Sequence, residues 1–261
     1  MKMKPAPARA ISNKENVMDT LYIVVPAYNE SENIRQLVED WYPVVEAHSE
    51  GGTSRLVVIN DGSKDDTYEI LKELAKTRPL LQPLTKPNGG HGPTLIYGYK
   101  YAIEHGATYV FQTDSDGQTL PAEFEDFWKL RKGYSAIFGK RTVRQDGKNR
   151  KFVENSLCKL LRLFFKVKVP DSNAPFRLMR RSFLTRYLPL FEDDYNLPNV
   201  MLTVCAAYYK EKYTFREITF RPRQGGDNSI NAKKIIKIGT KSLKDFRRYR
   251  KKLKEYNPNK K

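Results

Sequence analysis

The sequence predicts an α/β domain with a mostly parallel central sheet flanked by helices and a basic helical extension at the C-terminus. Three observations carry that prediction. From Leu21 onward, short apolar runs alternate with stretches of helical periodicity. The runs are close to continuously apolar, as in strands covered on both faces. Strands alternating with helices of this length build βαβ units, and such units place their strands in parallel.

Taken in order, the buried strands are Tyr22–Pro26 (YIVVP), Leu56–Asn60 (LVVIN) and Tyr109–Thr113 (YVFQT), with weaker ones at Leu80–Leu84 and Ala136–Gly139. The first helix presents Ile34, Leu37, Val38, Trp41 and Val45 on one face, and Pro43 should kink or restart it. Asn29 followed by Glu32 resembles a capping box ahead of that helix. Ile70, Leu71 and Leu74 mark the second helix, and Leu95, Ile96, Tyr99, Ala102 and Ile103 the third. Beyond residue 140 the pattern changes: a basic loop (KRTVRQDGKNRK) leads into a helix over 152–168, then an irregular PDSNAP turn. Helical stretches at 182–190 and 197–210 and an alternating strand Tyr213–Arg221 follow, and helical spacing returns over 231–256. Residues 1–19 read as a flexible segment, 20–230 as the domain and 231–261 as a basic helical tail.

Composition narrows the function classes. With 39% hydrophobic and 12% aromatic residues in 261, the chain can bury a full core and is not of the disordered class. Cys158 and Cys205 lie far apart, which argues against a disulfide scaffold or a structural zinc site. No apolar stretch is long enough to span a bilayer, and the N-terminal residues lack the apolar core of a secretory signal. The expectation is a cytoplasmic chain. The net charge is +17, and residues 233–261 carry 13 Lys/Arg against only Asp245 and Glu255. Such a tail suits an anionic membrane surface, a nucleic acid, or a solubilising helix that packs back on the domain. No aromatic RNA platform or helix-turn-helix pattern accompanies it, so a nucleic-acid partner is not expected.

In an open parallel sheet, ligands bind outside the carboxyl ends of the strands. Here those ends run into Ala27-Tyr28-Asn29-Glu30, Asp61-Gly62-Ser63 and Asp114-Ser115-Asp116-Gly117-Gln118. Any one loop alone reads equally well as a cap or turn; three acidic loops on one edge point to a site. Two carboxylates two residues apart can offer oxygens to one hard cation, Mg²⁺ or Mn²⁺, with Gln118 as a further oxygen donor. Such a cation bridges a diphosphate and neutralises charge on a departing nucleotide. Asn88-Gly89-Gly90-His91-Gly92-Pro93 precedes the third helix and is either an anion-binding turn or a turn whose glycines permit close packing. It has neither the P-loop nor the dinucleotide glycine spacing.

VVPAYNESENI, VVINDGSKDDT, NGGHGPTLIYGY and DSDGQ, in this order, resemble glycosyltransferase family 2, which has the GT-A nucleotide-sugar fold. FGKRTVRQDGKNR, PDSNAPFRLMRR and FRPRQGGDNSIN extend the resemblance to the polyprenyl-phosphate branch, with its dolichyl-phosphate mannose synthases and undecaprenyl-phosphate glycosyltransferases. The resemblance covers about residues 20–232. It implies that Pro26, Tyr28 and Glu30 lie beside the base and ribose and that Asp61 contacts the base. Lys86, Gly89 and Ser115 would add further nucleotide-sugar contacts, and Asp114, Asp116 and Gln118 would hold the metal and diphosphate. Asp116, Asp171, Arg141, Arg150, Arg177 and Arg223 become the catalytic candidates. Three departures stand out: His91 where the family usually has Lys, Pro175 where Gly is frequent, and Arg223-x-x-Gly226-x-x-Ser229 one residue longer than R-x-x-G-x-S.

The acceptor separates the branches. A sugar hydroxyl needs a positioned base, whereas a lipid phosphate is already anionic and needs cationic forks, for which the four arginines are suited. The resemblance therefore implies a metal-dependent, inverting transfer from a nucleotide sugar, most commonly a UDP-sugar, to a polyprenyl phosphate. A family member acting on a saccharide hydroxyl is the alternative, with Glu192-Asp193-Asp194 as the segment that would house its base. Val153, Leu157, Leu160, Leu161, Phe164 and Phe165 make an apolar stripe on the helix over 152–168, with Lys159, Arg162 and Lys166 on another face. That pattern fits an interfacial helix or one packed in the core. With the basic tail it suggests a peripheral enzyme at the inner membrane face, held there directly or by a separate membrane protein.

Overall fold

The computed structural model describes residues 19–144, 148–222 and 232–258. The expected strand–helix alternation is present: β1 (Leu21–Ala27), α1 (Ile34–Ala47), β2 (Arg55–Asn60), α2 (Thr67–Ala75), β3 (Leu81–Thr85), α3 (His91–Glu104) and β4 (Tyr109–Gln112). There follow α4 (Phe124–Leu130), β5 (Ala136–Arg144), α5 (Lys148–Phe165), β6 (Arg177–Arg180), α6 (Arg181–Tyr187), α7 (Pro198–Tyr208), β7 (Tyr213–Phe220) and α8 (Ala232–Glu255). One seven-stranded sheet runs in the order β3-β2-β1-β4-β6-β5-β7. β1, β2, β3 and β4 are mutually parallel, β5 pairs parallel with β7, and β6 is antiparallel to both of its neighbours. The sheet is thus mostly parallel, with one reversed strand joining its two halves.

Both faces are covered, which accounts for the apolar runs. One layer packs α1, α2 and α4 through Val38, Trp41, Leu71 and Phe124 onto Ile23, Val25 and Val58. The other packs α3, α5, α6, α7 and α8 onto Val24, Val57, Ile59 and Phe138.

Several expectations are corrected. α1 passes through Pro43 without ending, because Pro43 is on the exposed side, where the Glu39 carbonyl that loses its donor faces water. The Asn29–Glu32 capping box does not form; α1 starts after Asn33, and Glu30 O accepts from both Asn33 N and Ile34 N. The segment read as a basic loop after residue 139 begins as strand: β5 continues to Arg144 on β7, with an irregularity between Arg141 and Val143. β6 and α4 were not anticipated. The first is a four-residue run flanked by arginines, and the second a seven-residue helix whose Phe124, Phe127 and Trp128 are buried.

The amphipathic helix and the tail belong to the core. On α5, Leu161 and Phe165 are buried, and Leu157, Leu160 and Phe164 pack against the same cluster. The Val153 side chain is outside the described residues. The stripe therefore faces protein, and the exposed side of α5 holds Lys159, Arg162 and a 62% exposed Leu163, with exposed Lys166 just past its end. α8 buries Phe246, Tyr249 and Leu253, with the Phe246 ring 5.9 Å from Phe164 and 5.6 Å from Phe165. Tyr249 Oη donates to Glu192 Oε2 (2.5 Å) and Lys252 Nζ to Glu192 Oε1 (2.6 Å). Partial burial raises the Glu192 pKa, but the Lys252 and Tyr249 hydrogen bonds outweigh it and hold the carboxyl down to about 2. Lys244, Arg247, Arg250, Lys251 and Lys254 remain on the outer face. No helix among the described residues is long and apolar enough to cross a membrane.

Phe246→Ala should lower unfolding stability by about 3 kcal/mol, the cost of removing a buried aromatic side chain. A urea unfolding curve checks this, and a loss below about 1 kcal/mol would show that α8 is only loosely docked.

Candidate active site

The strand ends converge on one edge, and their loops are fastened to one another. Asn29 N donates to Ser63 Oγ (2.9 Å), Lys64 N to Asn29 Oδ1 (2.9 Å), Glu30 N to Thr67 Oγ1 (2.9 Å) and Ser31 N to Asp65 Oδ2 (3.0 Å). Asn29 holds a positive φ of 53° in this join. Pro26 is buried in β1 opposite Ile59, Tyr28 stands half-exposed beyond it, and Glu30 is buried with Oε2 accepting from Asn33 Nδ2 (2.7 Å).

Asp61 organises the next two loops. Its Oδ1 accepts from Gly89 N (2.9 Å) and its Oδ2 from Gly90 N (2.8 Å), while Asn88 Nδ2 donates to Asp61 O (2.8 Å). The Lys86 ammonium also contacts Asp61 Oδ1, with Pro87 O (2.9 Å) and Thr94 Oγ1 (3.3 Å) as further partners. Asp61 is 3% exposed, so these donors compensate the desolvation of its charge. Gly62 permits the approach: at φ +65° a Cβ would lie 2.7 Å from Asn88 N. The glycine turn is thus held from beneath by a carboxylate. Asp61 and Lys86 were expected to reach the nucleotide, and here they chiefly hold each other and this turn.

At the end of β4, both donors to Asp114 converge on a single oxygen. Gln112 Nε2 (3.1 Å) and His91 Nε2 (3.0 Å) each contact Asp114 Oδ1, and Oδ2 has no hydrogen-bond partner among the described residues. Burial lowers the His91 pKa, and the Asp114 and Asp116 charges more than reverse that, so the net shift is upward. The ring itself is half-exposed, 51%. Asp116 Oδ1 accepts from Gln118 N (3.2 Å), and Ser115 is buried. Gln118 fastens this loop to the end of β7: Arg221 N donates to Gln118 O (2.8 Å) and Gln118 Nε2 to Arg221 O (2.8 Å). Among the described residues there is no assembled cluster of three or more His, Cys, Asp or Glu ligands. Two carboxylates with an open oxygen nonetheless fit a hard Mg²⁺ or Mn²⁺, which keeps several waters and takes phosphate oxygens alongside one or two protein carboxylates.

The arginines divide into distinct roles. Arg141 forks onto buried Asp171, Nε to Oδ2 (2.8 Å) and Nη2 to Oδ1 (2.8 Å), and also approaches Glu154 Oε2 (3.4 Å). Burial raises the Asp171 pKa, and the hydrogen bonds and charge of Arg141 hold it below the ordinary 3.8. The expected phosphate fork of Arg141 is therefore occupied by a carboxylate, and Asp171 is an anchor for the β5 arginine. Arg177 is 0% exposed; its guanidinium donates to Ala174 O (2.9 Å) and Asn199 O (3.0 Å) and lies 5.1 Å from the Phe138 ring. Burial pushes its pKa down to about 10, so it stays charged near neutrality. Arg150 is in the first turn of α5 with its side chain outside the described residues, and Arg223 is also outside them.

Arg221, which the sequence did not single out, has a buried Nε with no hydrogen-bond partner and no carboxylate among the described residues. In the segment that would house a general base, Glu192 is bound to α8, and Asp193 Oδ1 pairs with Lys100 Nζ (2.5 Å) on the later turns of α3. Only Asp194 is exposed without a described partner. Also missed was a buried polar chain behind Asp114, made of Gln112, Asn199 and Tyr99. Amide and phenol groups inside otherwise apolar runs were its only signal.

Asp61→Ala should cost about 2–4 kcal/mol, since it leaves the Gly89 and Gly90 amides and the Lys86 ammonium without their acceptor. Chemical unfolding measures this, and wild-type stability would contradict the clasp. The Asp171 carboxyl, depressed in the fold, contributes stability above about pH 4 that is lost as the pH falls through its folded value. Asp171→Asn should therefore be destabilised by about 3 kcal/mol at pH 7, with the gap closing below about pH 4. A gap that persists unchanged at pH 2.5 would contradict the ion pair.

Comparison with known proteins shows the family and the fold. The family model described as glycosyl transferase family 2 matches residues 22–188. A dolichyl-phosphate beta-glucosyltransferase ALG5C of Trichomonas vaginalis is 33% identical over 118 residues, 44% of this chain and 34% of that protein. An undecaprenyl-phosphate 4-deoxy-4-formamido-L-arabinose transferase of Pectobacterium carotovorum is 23% identical over 83% of this chain and 64% of that protein. This chain thus spans about a third of the first relative and just under two-thirds of the second. Among solved structures, glucosyl-3-phosphoglycerate synthase of Mycobacterium tuberculosis, in complex with Mn²⁺, UDP-glucose and phosphoglyceric acid, superposes with a TM-score of 0.63. That match is at 17% identity and covers 89% of this chain and 79% of that one, a likeness of fold. The chain belongs to glycosyltransferase family 2 and folds as a GT-A domain.

Proposed function

We propose that the chain is a metal-dependent, inverting glycosyltransferase that moves a sugar from a nucleotide sugar, with UDP as the leading nucleotide, to a polyprenyl phosphate at the inner membrane face. The observation that carries this reading is the Asp114–Asp116 pair at the sheet edge, with Asp114 fixed through one oxygen and open at the other. A bound Mg²⁺ or Mn²⁺ would supply charge neutralisation to the diphosphate leaving group. Around it, the 27–31 and 61–67 loops would form the nucleotide floor. The turn fastened by Asp61 would bring the N-terminus of α3 toward the diphosphate. The Mn²⁺ and UDP-glucose complex of the M. tuberculosis fold relative and the lipid-phosphate substrates in the relatives' names support this reading.

Transfer would be a single displacement. A phosphate oxygen of the acceptor bonds to the anomeric carbon as the bond from that carbon to the diphosphate breaks, which inverts the configuration. No proton need be removed, because the phosphate is anionic. That suits a site whose neighbouring acidic segment is committed at Glu192 and Asp193. Arg221, beside Gln118 and with no carboxylate partner among the described residues, is the described cation best placed to receive the acceptor phosphate, with Arg223 and Arg150 as further candidates. The exposed basic faces of α5 and α8, with Leu163 between charged residues, would attract an anionic leaflet at about 1 kcal/mol per charge near the surface. The alternative, transfer to a saccharide hydroxyl, rests on exposed Asp194.

The test is an assay with labelled UDP-sugars, undecaprenyl phosphate and Mn²⁺. A chloroform-soluble product should form, disappear with EDTA, and fall on the order of 10³-fold in rate in Asp116→Ala, equivalent to several kcal/mol of leaving-group stabilisation. No lipid product with any common donor, or transfer to saccharides abolished by Asp194→Ala, would contradict the reading.

A further inference from the structure

Behind Asp114, and ending on its bonded oxygen Oδ1, lies a one-directional chain of buried hydrogen bonds. Gln112 Nε2 donates to Asp114 Oδ1 (3.1 Å), Asn199 Nδ2 donates to Gln112 Oε1 (3.0 Å), and Tyr99 Oη donates to Asn199 Oδ1 (3.0 Å), with Gln112 Oε1 as its longer second acceptor (3.3 Å). Gln112 and Tyr99 are 0% exposed and Asn199 is 2% exposed. Asn199 is itself held through its backbone: Arg177 Nη1 donates to Asn199 O (3.0 Å), as does Thr203 Oγ1 (3.0 Å).

The polarity of the chain is dictated from its ends. An ionised carboxylate only accepts, so Gln112 must turn its NH₂ toward Asp114 and its carbonyl toward Asn199. Asn199 must then offer its NH₂ to Gln112, which leaves its carbonyl for the phenol of Tyr99. Each amide has one orientation that satisfies both neighbours, and a flipped amide would set two acceptors against each other in a buried site. Gln112 and His91 take the same carboxylate oxygen from two directions, so the torsion of the carboxylate is held and Oδ2 is the oxygen turned away from both donors.

We infer that Tyr99, Asn199 and Gln112 are positioning residues that lock Asp114 with Oδ2 presented to the divalent cation, and that Arg177 serves the site by holding Asn199. The inference rests on the metal-dependent reading above. It changes the role of Arg177, whose buried guanidinium acts from behind the carboxylate and never meets the acceptor. It also joins α7, through Asn199, and α3, through Tyr99, to the orientation of a single metal ligand at the end of β4.

The experiment is Mn²⁺ binding to the full chain, followed by the electron paramagnetic resonance signal of free Mn²⁺, with UDP present and absent. Asn199→Leu and Gln112→Leu should each weaken Mn²⁺ binding by about 10–100-fold, the range for removing an outer partner of a metal ligand. The double variant should lose no more than the weaker-binding single variant, because both break one chain. Tyr99→Phe removes one hydroxyl from a site that keeps its shape, and should weaken binding by about threefold while the metal-free melting curve changes little. If the leucine variants do not fold, Tyr99→Phe decides. Wild-type Mn²⁺ affinity in Asn199→Leu or in Tyr99→Phe, or losses that add in the double variant, would overturn the inference while leaving the metal reading intact. No Mn²⁺ binding by the wild-type chain, with or without UDP, would overturn both.

Discussion

A carboxylate drawn into the edge of the sheet has to be matched by donors, and the functional edge of this domain is organised by that requirement. Desolvating a charge without compensation costs several kcal/mol, and three aspartates meet the demand in three ways. Asp61 uses backbone amides and a lysine, and so fixes the glycine turn ahead of α3. Asp171 uses the guanidinium fork of Arg141, and so pins the emerging β5 to the segment before β6. Asp114 uses Gln112 and His91 on one oxygen only. The first two are closed to further ligands on most sides, and the third is the place where a charge can be shared with a bound cation.

The same requirement links the site to the second half of the chain. Tyr195 and Asn196 run close along the first turn of α3, where a Cβ on Gly92 would lie 2.5 Å from their backbone atoms. Tyr195 in turn packs edge-on against Tyr249 of α8, with ring centroids 4.8 Å apart. α8 holds the start of that segment through Glu192. The basic helix at the end of the chain therefore braces a loop that touches the helix carrying His91. Its inner face contributes to the fold, and its outer face carries the charge.

Much of the fold was legible because βαβ units write themselves in plain patterns. The strands from Leu21 to Gln112 and their helices follow from continuous apolar runs and 3.6-residue periodicity, and the acidic loops from their place after those runs. β6 escaped because four residues bounded by arginines carry no period, and Arg177 reads as a surface charge until its burial is seen. The amphipathic pattern of α5 was visible, but periodicity cannot say whether an apolar stripe meets lipid or protein, and here Phe246 of α8 covers it. At the site, Asp114 and Asp116 were readable from their spacing, whereas Asn199 and Tyr99 were not, since they join Gln112 across 87 and 13 residues of sequence. The net charge of +17 resolves likewise: part lies on exposed helix faces, and part, as in Arg141 and Arg177, neutralises or supports the buried edge.

If the proposed function holds, the edge built by Asp114 and Asp116 binds a nucleoside diphosphate through a shared divalent cation. Calorimetric titration of UDP into the protein, with Mn²⁺ and again in excess EDTA, tests it most directly. Saturable binding is expected with Mn²⁺ and should weaken by at least about 100-fold in EDTA, the loss expected when a bridging charge of this kind is removed. Equal affinity in the two titrations, or no binding of any nucleoside diphosphate with Mn²⁺ present, would contradict it.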